Sequence, residues 1–294
     1  MITGSLDVPL PAVLGDEGAG IVEEIWERSH FSQARRPRYS FMDTILWLLF
    51  ILCSRLAQGY SNLCLQSRQG GPGCLLDGTT RYRKENRTIH HFAMVASFAE
   101  YSVILQECAI PIDKDVALDK ASLIGCSVTT GVCAAINTAQ VHPGSSVAVF
   151  GAGGIGLNVI QGASLAGAEK IIVIDLVPSK LAFAQQFGAT HSIDAGEGDP
   201  IVEIRSLTDG LEVDYAFEAI GTATTYVQTV HSIRNRGKAI WIGAPPREPL
   251  SLDAETVFWG EKTIMGSNYG SARPSYDMPR LLHFTVPDDS NWMS

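Results

Sequence analysis

The chain has 294 residues, of which 46% are hydrophobic and 18% charged, and its formal net charge is −9. This composition is that of a folded protein with one large or two modest domains, and it excludes disorder over most of the chain. The acidic balance argues against nucleic acid or an anionic membrane as a partner, because proteins that neutralise phosphates present an excess of Lys and Arg. The composition is compatible with a small molecule as the partner.

Cysteine usage and the N-terminal residues indicate a reducing compartment. The six cysteines are scattered between Cys53 and Cys133, which is too sparse for a disulfide scaffold. Residues 1–10 contain neither a basic segment nor an apolar run, so we expect no secretory signal and a cytoplasmic location. The apolar run at residues 45–53 is shorter than the roughly 20 residues of a membrane span. A buried helix or strand is therefore favoured there over a membrane anchor.

The first third of the chain shows little periodicity. Residues 1–25 are apolar, with glycines at turn positions, and predict a short β unit. Residues 26–90 have no sustained period of 2 or 3.6 and allow no prediction of regular structure. From residue 93 the pattern becomes regular and predicts a strand at 97–105 and an apolar helix at 121–139.

Strands alternate with helices between residues 146 and 270. The predicted strands are at 146–150, 171–175, 191–194, 213–218, 238–242 and 262–265. The first predicted helix ends near residue 166 and the second covers 179–187. The third begins at Asp199 and Pro200, and the fourth covers 222–233. Such alternation requires right-handed crossovers and predicts an α/β domain with a doubly wound parallel sheet.

A glycine-rich turn connects the first of these strands to its helix. Gly151-Ala152-Gly153-Gly154-Ile155-Gly156 fits the pattern G-x-G-x-x-G. In this pattern the first glycine allows the tight turn, the second lets a pyrophosphate approach the backbone, and the last allows close packing of helix on strand. The helix N-terminus adds free N–H groups and a positive dipole end. The sequence therefore predicts a dinucleotide site, with turn and packing roles alone as the alternative.

An acidic residue at the end of the second strand supports this prediction. Asp175 follows the last glycine at the spacing expected of a carboxylate that binds the adenosine ribose hydroxyls. No Arg follows it closely, which favours NAD over NADP. Lys180 either reaches the same ribose or is an exposed helix lysine.

These motifs and several others resemble the zinc-type medium-chain alcohol dehydrogenase family. The resemblance covers about two-thirds of the chain, which is far more specific than the glycine loop alone. It is carried by residues 10–20 (LPAVLGDEGAG), 89–92 (IHHF), 97–101 (SFAEY), 125–131 (GCSVTTG), 151–156, 217–221 (FEAIG) and 242–246 (IGAPP).

The resemblance implies a fold and an activity. Residues 1–127 would form part of a mainly β, GroES-like catalytic domain, irregular over 26–75, and residues 128–270 a Rossmann domain that binds NAD. Residues 271–294 would be the remnant of the catalytic domain's return and a tail. The implied reaction is hydride transfer between NAD and a primary alcohol or aldehyde. Cofactor contacts are implied for Gly154, Ile155, Ala219, Ile220 and Ile242, in addition to the residues named above.

The family also uses zinc, held by three protein ligands and acting as a Lewis acid on the alcohol oxygen. The resemblance places Cys126 as the last catalytic ligand and Thr130 near the nicotinamide. Asp16 stands where the family has His in a Gly-His-Glu triplet, and the family's first cysteine ligand lies upstream of Leu10. Glu17, beside Asp16, is either a carboxylate near the metal or a solvated surface acid. Aspartate binds zinc through oxygen, with a different charge and reach from histidine.

A second, structural zinc site is implied less completely. The family's lobe has four cysteines spaced C-x2-C-x2-C-x7-C, and Cys53 and Cys64 match the second and fourth positions. Phe50 and Leu56 occupy the other two. Two thiolates do not close a tetrahedral site, so this lobe is expected to be a metal-free remnant.

Two alternatives to an active dehydrogenase remain. The incomplete ligand set favours a degenerate dinucleotide-binding protein without hydride transfer. A third hypothesis is a subunit-like remnant that forms a homodimer through its sixth strand, near residues 262–266, as family members can.

Overall fold

The computed structural model describes residues 8–25, 45–48, 61–63 and 71–285. The chain divides into two compact units. The first comprises Met1–Cys126 with Arg273–Ser294, and the second is Ser127–Ala272.

The first unit contains two small sheets. In one, β1 (Ala12–Val13) pairs in parallel with β5 (Arg87–His91), which pairs antiparallel with β4 (Tyr82–Lys84). In the other, β3 (Ile45–Leu48) lies between β2 (Gly18–Ile21) and β6 (Ala109–Pro111), antiparallel to both. The predicted β unit in residues 1–25 is thus confirmed. The apolar run begins as strand β3, and its residues 49–53 lie outside the described residues.

The predicted strand at residues 97–105 is wrong. The backbone just before it is left-handed at Ala93, Met94 and Ala96, which prevents an extended entry into a strand. The N–H groups of Ser97 and Phe98 donate to carbonyl oxygens in the turn after β1 rather than to a neighbouring strand. The apolar side chains that suggested a strand are largely exposed, Phe98 at 75% and Tyr101 at 76%.

One long helix covers Leu118–Ala139 and confirms the helix predicted at 121–139. It consists of α1 (Leu118–Leu123) and α2 (Thr129–Cys133), each followed by a π-helical stretch, Ile124–Val128 and Ala134–Ala139. Within the described residues it alone is long and apolar enough to cross a membrane. Most of it is buried inside the protein, as expected of a core helix.

The second unit is a six-stranded parallel sheet with helices between the strands. The strands are β7 (Ser146–Phe150), β8 (Lys170–Asp175), β9 (His191–Asp194), β10 (Val213–Glu218), β11 (Ile233–Trp241) and β12 (Thr263–Gly266). The helices are α3 (Gly154–Leu165), α4 (Pro178–Ala184), α5 (Pro200–Leu207), α6 (Ala223–Ser232) and α7 (Ala254–Trp259). The spatial order is β12-β11-β10-β7-β8-β9, so the predicted doubly wound fold is confirmed. The first unit ends in α8 (Pro274–Thr285).

Both faces of this sheet are buried, which explains the continuous apolar strands. Along β7, Val147 and Val149 join the core on one face, while Ala148 and Phe150 join the core on the other. The four side chains are 0–1% exposed. A strand buried on both faces has no polar side to alternate with, as is typical of parallel sheets covered by helices.

The predicted boundaries hold where capping residues mark them. Asp199 accepts a hydrogen bond from the Ile201 N–H at 2.9 Å, and Thr222 accepts one from the Thr225 N–H at 3.3 Å. The exception is β11, which begins five residues before the predicted 238. Its pairing with β10 shifts from Ile233 directly to Lys238, so the residues between them form a bulge that interrupts the apolar pattern.

Strand β12 is the edge of the sheet next to β11. Just before it, Phe258 and Trp259 at the end of α7 are 70% and 76% exposed. An edge strand presents unpaired backbone groups to which another strand can bond. The predicted homodimer through this strand stays a prediction.

A polar cluster joins three strands where they begin. The carboxylate of Asp214 on β10 accepts hydrogen bonds from the Ser146 N–H (2.7 Å) and hydroxyl (2.8 Å) on β7. It also accepts one from Arg234 Nε on β11 at 2.7 Å. Burial raises the pKa of Asp214, but the Ser146 hydrogen bonds and the Arg234 charge outweigh it and hold this pKa below the usual range.

We expect Asp214→Asn to lower the free energy of unfolding at pH 7 by about 1–3 kcal/mol, because charge-assisted hydrogen bonds are lost. A carboxylate with a lowered folded pKa stabilises the protein above its ordinary pKa, and that contribution is lost as pH falls through the folded value. The difference from wild type should therefore shrink below about pH 4. Urea denaturation at several pH values tests this. The exposed Asp209→Asn is the control, and equal stabilities of wild type and Asp214→Asn at pH 7 would contradict it.

Candidate functional site

The candidate site lies in the second unit, where the strand order reverses. From β7 the chain proceeds to β8 on one side, and from β10 it proceeds to β11 on the other, although β7 and β10 are neighbours. In doubly wound sheets, ligands bind in the crevice that this reversal opens at the carboxyl ends of the strands. The predicted cofactor residues lie at or just after those ends, on β7, β8, β10 and β11.

Two glycines of the loop after β7 are required by the fold itself. Gly151 has φ +102°, and a Cβ there would lie 2.7 Å from Cγ1 of Ile220. A Cβ on Gly156 would lie 1.8 Å from the carbonyl oxygen of Gly151, which no side chain tolerates. These glycines therefore allow α3 to begin directly against the end of β7.

Gly153 is different, because nothing in the protein requires a glycine there. Its backbone is extended, with φ −85° and ψ −176°, a conformation open to any residue. A Cβ on Gly153 would meet nothing within 4 Å. The space beside this residue is thus open at the position where a ligand would approach the backbone.

The first turn of α3 provides donors to that space. Gly153 is the N-cap and carries no side chain to bond the helix N–H groups, and the first turn contains no acidic residue. The N–H groups of Gly154, Ile155 and Gly156 have no acceptor within the helix, because first-turn amides lack one. Together with the positive end of the helix dipole, they suit an anion such as a pyrophosphate.

Asp175 is fixed beside the glycine loop. Its Oδ2 accepts a hydrogen bond from the Ala152 N–H at 2.8 Å, and its Oδ1 accepts one from the Val177 N–H at 3.0 Å. Lys180 Nζ lies 3.9 Å from Oδ2 and is half exposed. Each carboxylate oxygen keeps acceptor capacity for a ribose hydroxyl. The two interpretations of Lys180, ribose contact or exposed helix lysine, both stay open.

The other side of the crevice is organised by Glu218, which sequence reasoning missed as a site residue. Glu218 ends β10 and is 0% exposed. Its Oε1 accepts hydrogen bonds from the N–H groups of Ile220 and Gly221 and from the Thr225 hydroxyl. The signal in the sequence was an acidic residue directly after an apolar strand, where a carboxylate is buried only if donors surround it.

Thr130 lies on the helix that packs against α3. Its side chain is buried, and the adjacent Gly131 marks the contact between the helices. A Cβ on Gly131 would lie 2.5 Å from the carbonyl oxygen of Ile155 and 2.5 Å from Cβ of Asn158. Only a glycine lets α2 approach the start of α3 this closely. Thr130, the residue before Gly131, therefore lies close to the first turns of α3.

The predicted catalytic residues of the first unit lie in two elements. Asp16 and Glu17 are half-buried in the turn between β1 and β2, which Gly15 enters with φ +94°. The Ser97 hydroxyl donates to the Glu17 carbonyl oxygen at 3.0 Å and so fixes this turn. Cys126 is half-buried in the π-helical stretch after α1 and is not in a disulfide.

The described residues do not fit the expected catalytic zinc. Catalytic zinc requires three protein ligands. Among residues 8–25, 45–48, 61–63 and 71–285, no group of three or more His, Cys, Asp or Glu side chains could hold a metal ion. Asp16 and Cys126 thus acquire no third ligand from this part of the chain. Cys53 and Cys64, predicted as a remnant structural site, lie outside the described residues.

Comparisons with known proteins agree with the sheet and glycine loop of the second unit. The family model described as zinc-binding dehydrogenase matches residues 154–286. The chain is similar to the crystal structure of an alcohol dehydrogenase zinc-binding domain protein from Burkholderia ambifaria, with 34% identity and a TM-score of 0.86. It is also similar to benzyl alcohol dehydrogenase from Acinetobacter calcoaceticus, with 31% identity and a TM-score of 0.83. Both matches cover 95% of this chain and 75% of the other.

A more distantly related structure shares the fold. A structure from Sinorhizobium meliloti 1021, solved with NADP bound, has 23% identity and a TM-score of 0.72. That match covers 94% of this chain and 75% of the other. At this identity the likeness concerns the fold alone.

Substitution by alanine should lower the melting temperature at Gly156 and leave it nearly unchanged at Gly153. Gly156→Ala should lower the melting temperature by about 5 °C or more, because its Cβ overlaps the Gly151 carbonyl oxygen and α3 must move. Gly153→Ala should leave it within about 1–2 °C, because the added methyl meets only open space. Thermal melting followed by circular dichroism at 222 nm measures both. Equal melting temperatures for the two variants would contradict the loop geometry.

Proposed function

The chain belongs to the zinc-binding dehydrogenase family, and on that premise we propose that it binds NAD and exchanges a hydride between this cofactor and a primary alcohol or its aldehyde. The observation that carries the proposal is the open space beside Gly153 at the start of α3, a helix whose N-cap has no side chain to bond the first-turn N–H groups. Free N–H groups at a helix N-terminus, beside open space at the reversal of strand order, form the kind of site where a dinucleotide's pyrophosphate binds.

Different residues of the crevice would bind different parts of the cofactor. The N–H groups after Gly153 would hold the pyrophosphate, and Asp175 would accept hydrogen bonds from the adenosine ribose. Ala219, Ile220 and Ile242, at the ends of β10 and β11, would contact the nicotinamide half, near Thr130. When bound, NAD supplies the hydride acceptor, so that an alcohol losing a hydride and a proton becomes an aldehyde.

The substrate class follows from the relatives rather than from a described pocket. Benzyl alcohol dehydrogenase from Acinetobacter calcoaceticus is 31% identical to this chain. We therefore propose a primary alcohol, with benzyl alcohol as the first compound to test. No step of this proposal runs through zinc, because the described residues do not supply three ligands for it.

That ligand count supports a second candidate function. A protein that binds NAD but lacks a Lewis acid for the alcohol oxygen would retain cofactor affinity and lose most hydride transfer. Its distinguishing property would be saturable NADH binding without zinc and without turnover.

The purified chain should bind NADH saturably and reduce NAD with benzyl alcohol, whereas the second candidate function predicts NADH binding without turnover. NADH fluorescence, absorbance at 340 nm and metal analysis are the three measurements. Cys126→Ala should keep NADH affinity, because Cys126 is not among the residues that would contact the cofactor. NADH binding without zinc or turnover would select the second candidate, and absence of NADH binding would contradict both.

We expect the chain to bind NADH at least about 10-fold more tightly than NADPH, since the Asp175 carboxylate would repel a 2′-phosphate on the adenosine ribose. Asp175→Asn should reduce this preference several-fold, because the repelling charge is removed. Asp194→Asn on the neighbouring strand β9 is the matched control and should leave the ratio unchanged. Fluorescence titration with both cofactors gives the ratio. A wild-type protein without preference would contradict the assigned role of Asp175.

A further inference from the structure

We propose that Glu218 is a positioning residue that holds the nicotinamide half of the cofactor site in its binding conformation. The inference rests on the proposed function. It starts from the buried carboxylate at the end of β10, whose Oε2 has no hydrogen-bond partner while the side chain is 0% exposed. Burying a carboxylate costs free energy unless its hydrogen bonds are numerous and strong. The groups that bond to Glu218 therefore indicate its structural role.

The donors to Glu218 all come from one side of the crevice. Its Oε1 lies 3.0 Å from the Ile220 nitrogen, 2.7 Å from the Gly221 nitrogen and 2.7 Å from the Thr225 hydroxyl. These groups form the loop after β10 and the first turn of α6. One carboxylate oxygen therefore fixes the path by which the chain leaves β10 and enters the helix.

The same residue also holds the loop after β11. The Glu218 carbonyl oxygen accepts hydrogen bonds from the N–H groups of Ile242 (2.9 Å) and Gly243 (3.1 Å). A Cβ on Gly243 would lie 2.5 Å from Oε2 of Glu218 and 2.4 Å from the Gly221 nitrogen. The two loops thus meet over the carboxylate with no room for a side chain between them.

Tyr226 completes the arrangement. Its hydroxyl donates to the Gly243 carbonyl oxygen at 2.7 Å and links α6 to the loop after β11. Burial, and then the negative charge of Glu218, raise the pKa of the Tyr226 hydroxyl. The hydroxyl therefore stays protonated and able to donate at physiological pH.

The position of Glu218 in the sheet assigns it to one half of the cofactor. Doubly wound sheets consist of two mononucleotide-binding halves that meet at the reversal of strand order. Asp175 on β8 belongs to the adenosine half, so the loops after β10 and β11 belong to the nicotinamide half. Glu218 pairs with Phe150 on β7 and with Trp241 on β11, and so stands where the nicotinamide half begins.

The test compares NADH with ADP, which carries the adenosine and both phosphates but no nicotinamide. Glu218→Gln keeps an acceptor for the three donors but removes the charge that strengthens their bonds. We expect NADH affinity to fall about 10-fold or more while ADP affinity stays within about 2-fold of wild type. Isothermal titration calorimetry measures both, and the ratio of the two affinities is the readout.

Two further variants make the outcome decisive. Asp214→Asn removes a hydrogen-bonded carboxylate at the opposite end of the same strand and should leave the NADH-to-ADP ratio unchanged. Thr225→Ala removes one of the three donors to Oε1 and should shift the ratio in the same direction as Glu218→Gln, and it decides the question if Glu218→Gln does not fold.

A wild-type ratio in Glu218→Gln, or in Thr225→Ala where only that variant folds, overturns the positioning role. Equal losses of NADH and ADP affinity also overturn it, because they indicate general loss of structure. If the wild-type chain binds neither ligand, the proposed function itself has failed.

Discussion

The structure of the candidate cofactor site depends on one contact, the approach of residue 156 to the carbonyl oxygen of Gly151. A Cβ at residue 156 would lie only 1.8 Å from that oxygen, so α3 can begin directly on the end of β7 only if a glycine stands there. From this contact the first-turn N–H groups of α3 point into the crevice at the reversal of strand order. The Asp175 bond to Ala152 and the close packing of α2 at Gly131 then fix the loop from both sides.

Two carboxylates organise the crevice by the same means. Asp175 on β8 and Glu218 on β10 each end a parallel strand and accept hydrogen bonds from backbone N–H groups of the loop that follows, and Asp175 also accepts one from Ala152 in the loop after β7. Backbone donors supply most of these hydrogen bonds, and Lys180 Nζ lies 3.9 Å from the Asp175 carboxylate. The difference between them is burial. Asp175 keeps a partly exposed edge suited to a ribose, whereas Glu218 is fully enclosed and suited to holding loops.

The sequence predicted the Rossmann-type unit well because its strands are buried on both faces. Strands such as Ser146–Phe150 and Val213–Glu218 are mainly apolar and lie between turn residues, and their bounds were predicted to the residue. The start of β11 was missed because a bulge carries polar residues into the strand. The strand at 97–105 was wrong because left-handed residues before it are not encoded in apolar alternation. Glu218 was missed as a site residue because its role comes from loops brought together only by the fold. The sequence also could not show whether Asp16 and Cys126 acquire a third metal ligand, because a ligand set is assembled only by the tertiary fold.

The central claim is that the open space beside Gly153 is a dinucleotide site. The most direct measurement is a calorimetric titration of NADH into the wild-type chain and into Gly153→Val, whose Cβ would meet nothing in the protein within 4 Å. We expect one NADH to bind per wild-type chain, and the variant to lose at least about 10-fold in NADH affinity at an unchanged melting temperature. Equal NADH affinity for the two proteins, or no binding to either, would contradict it.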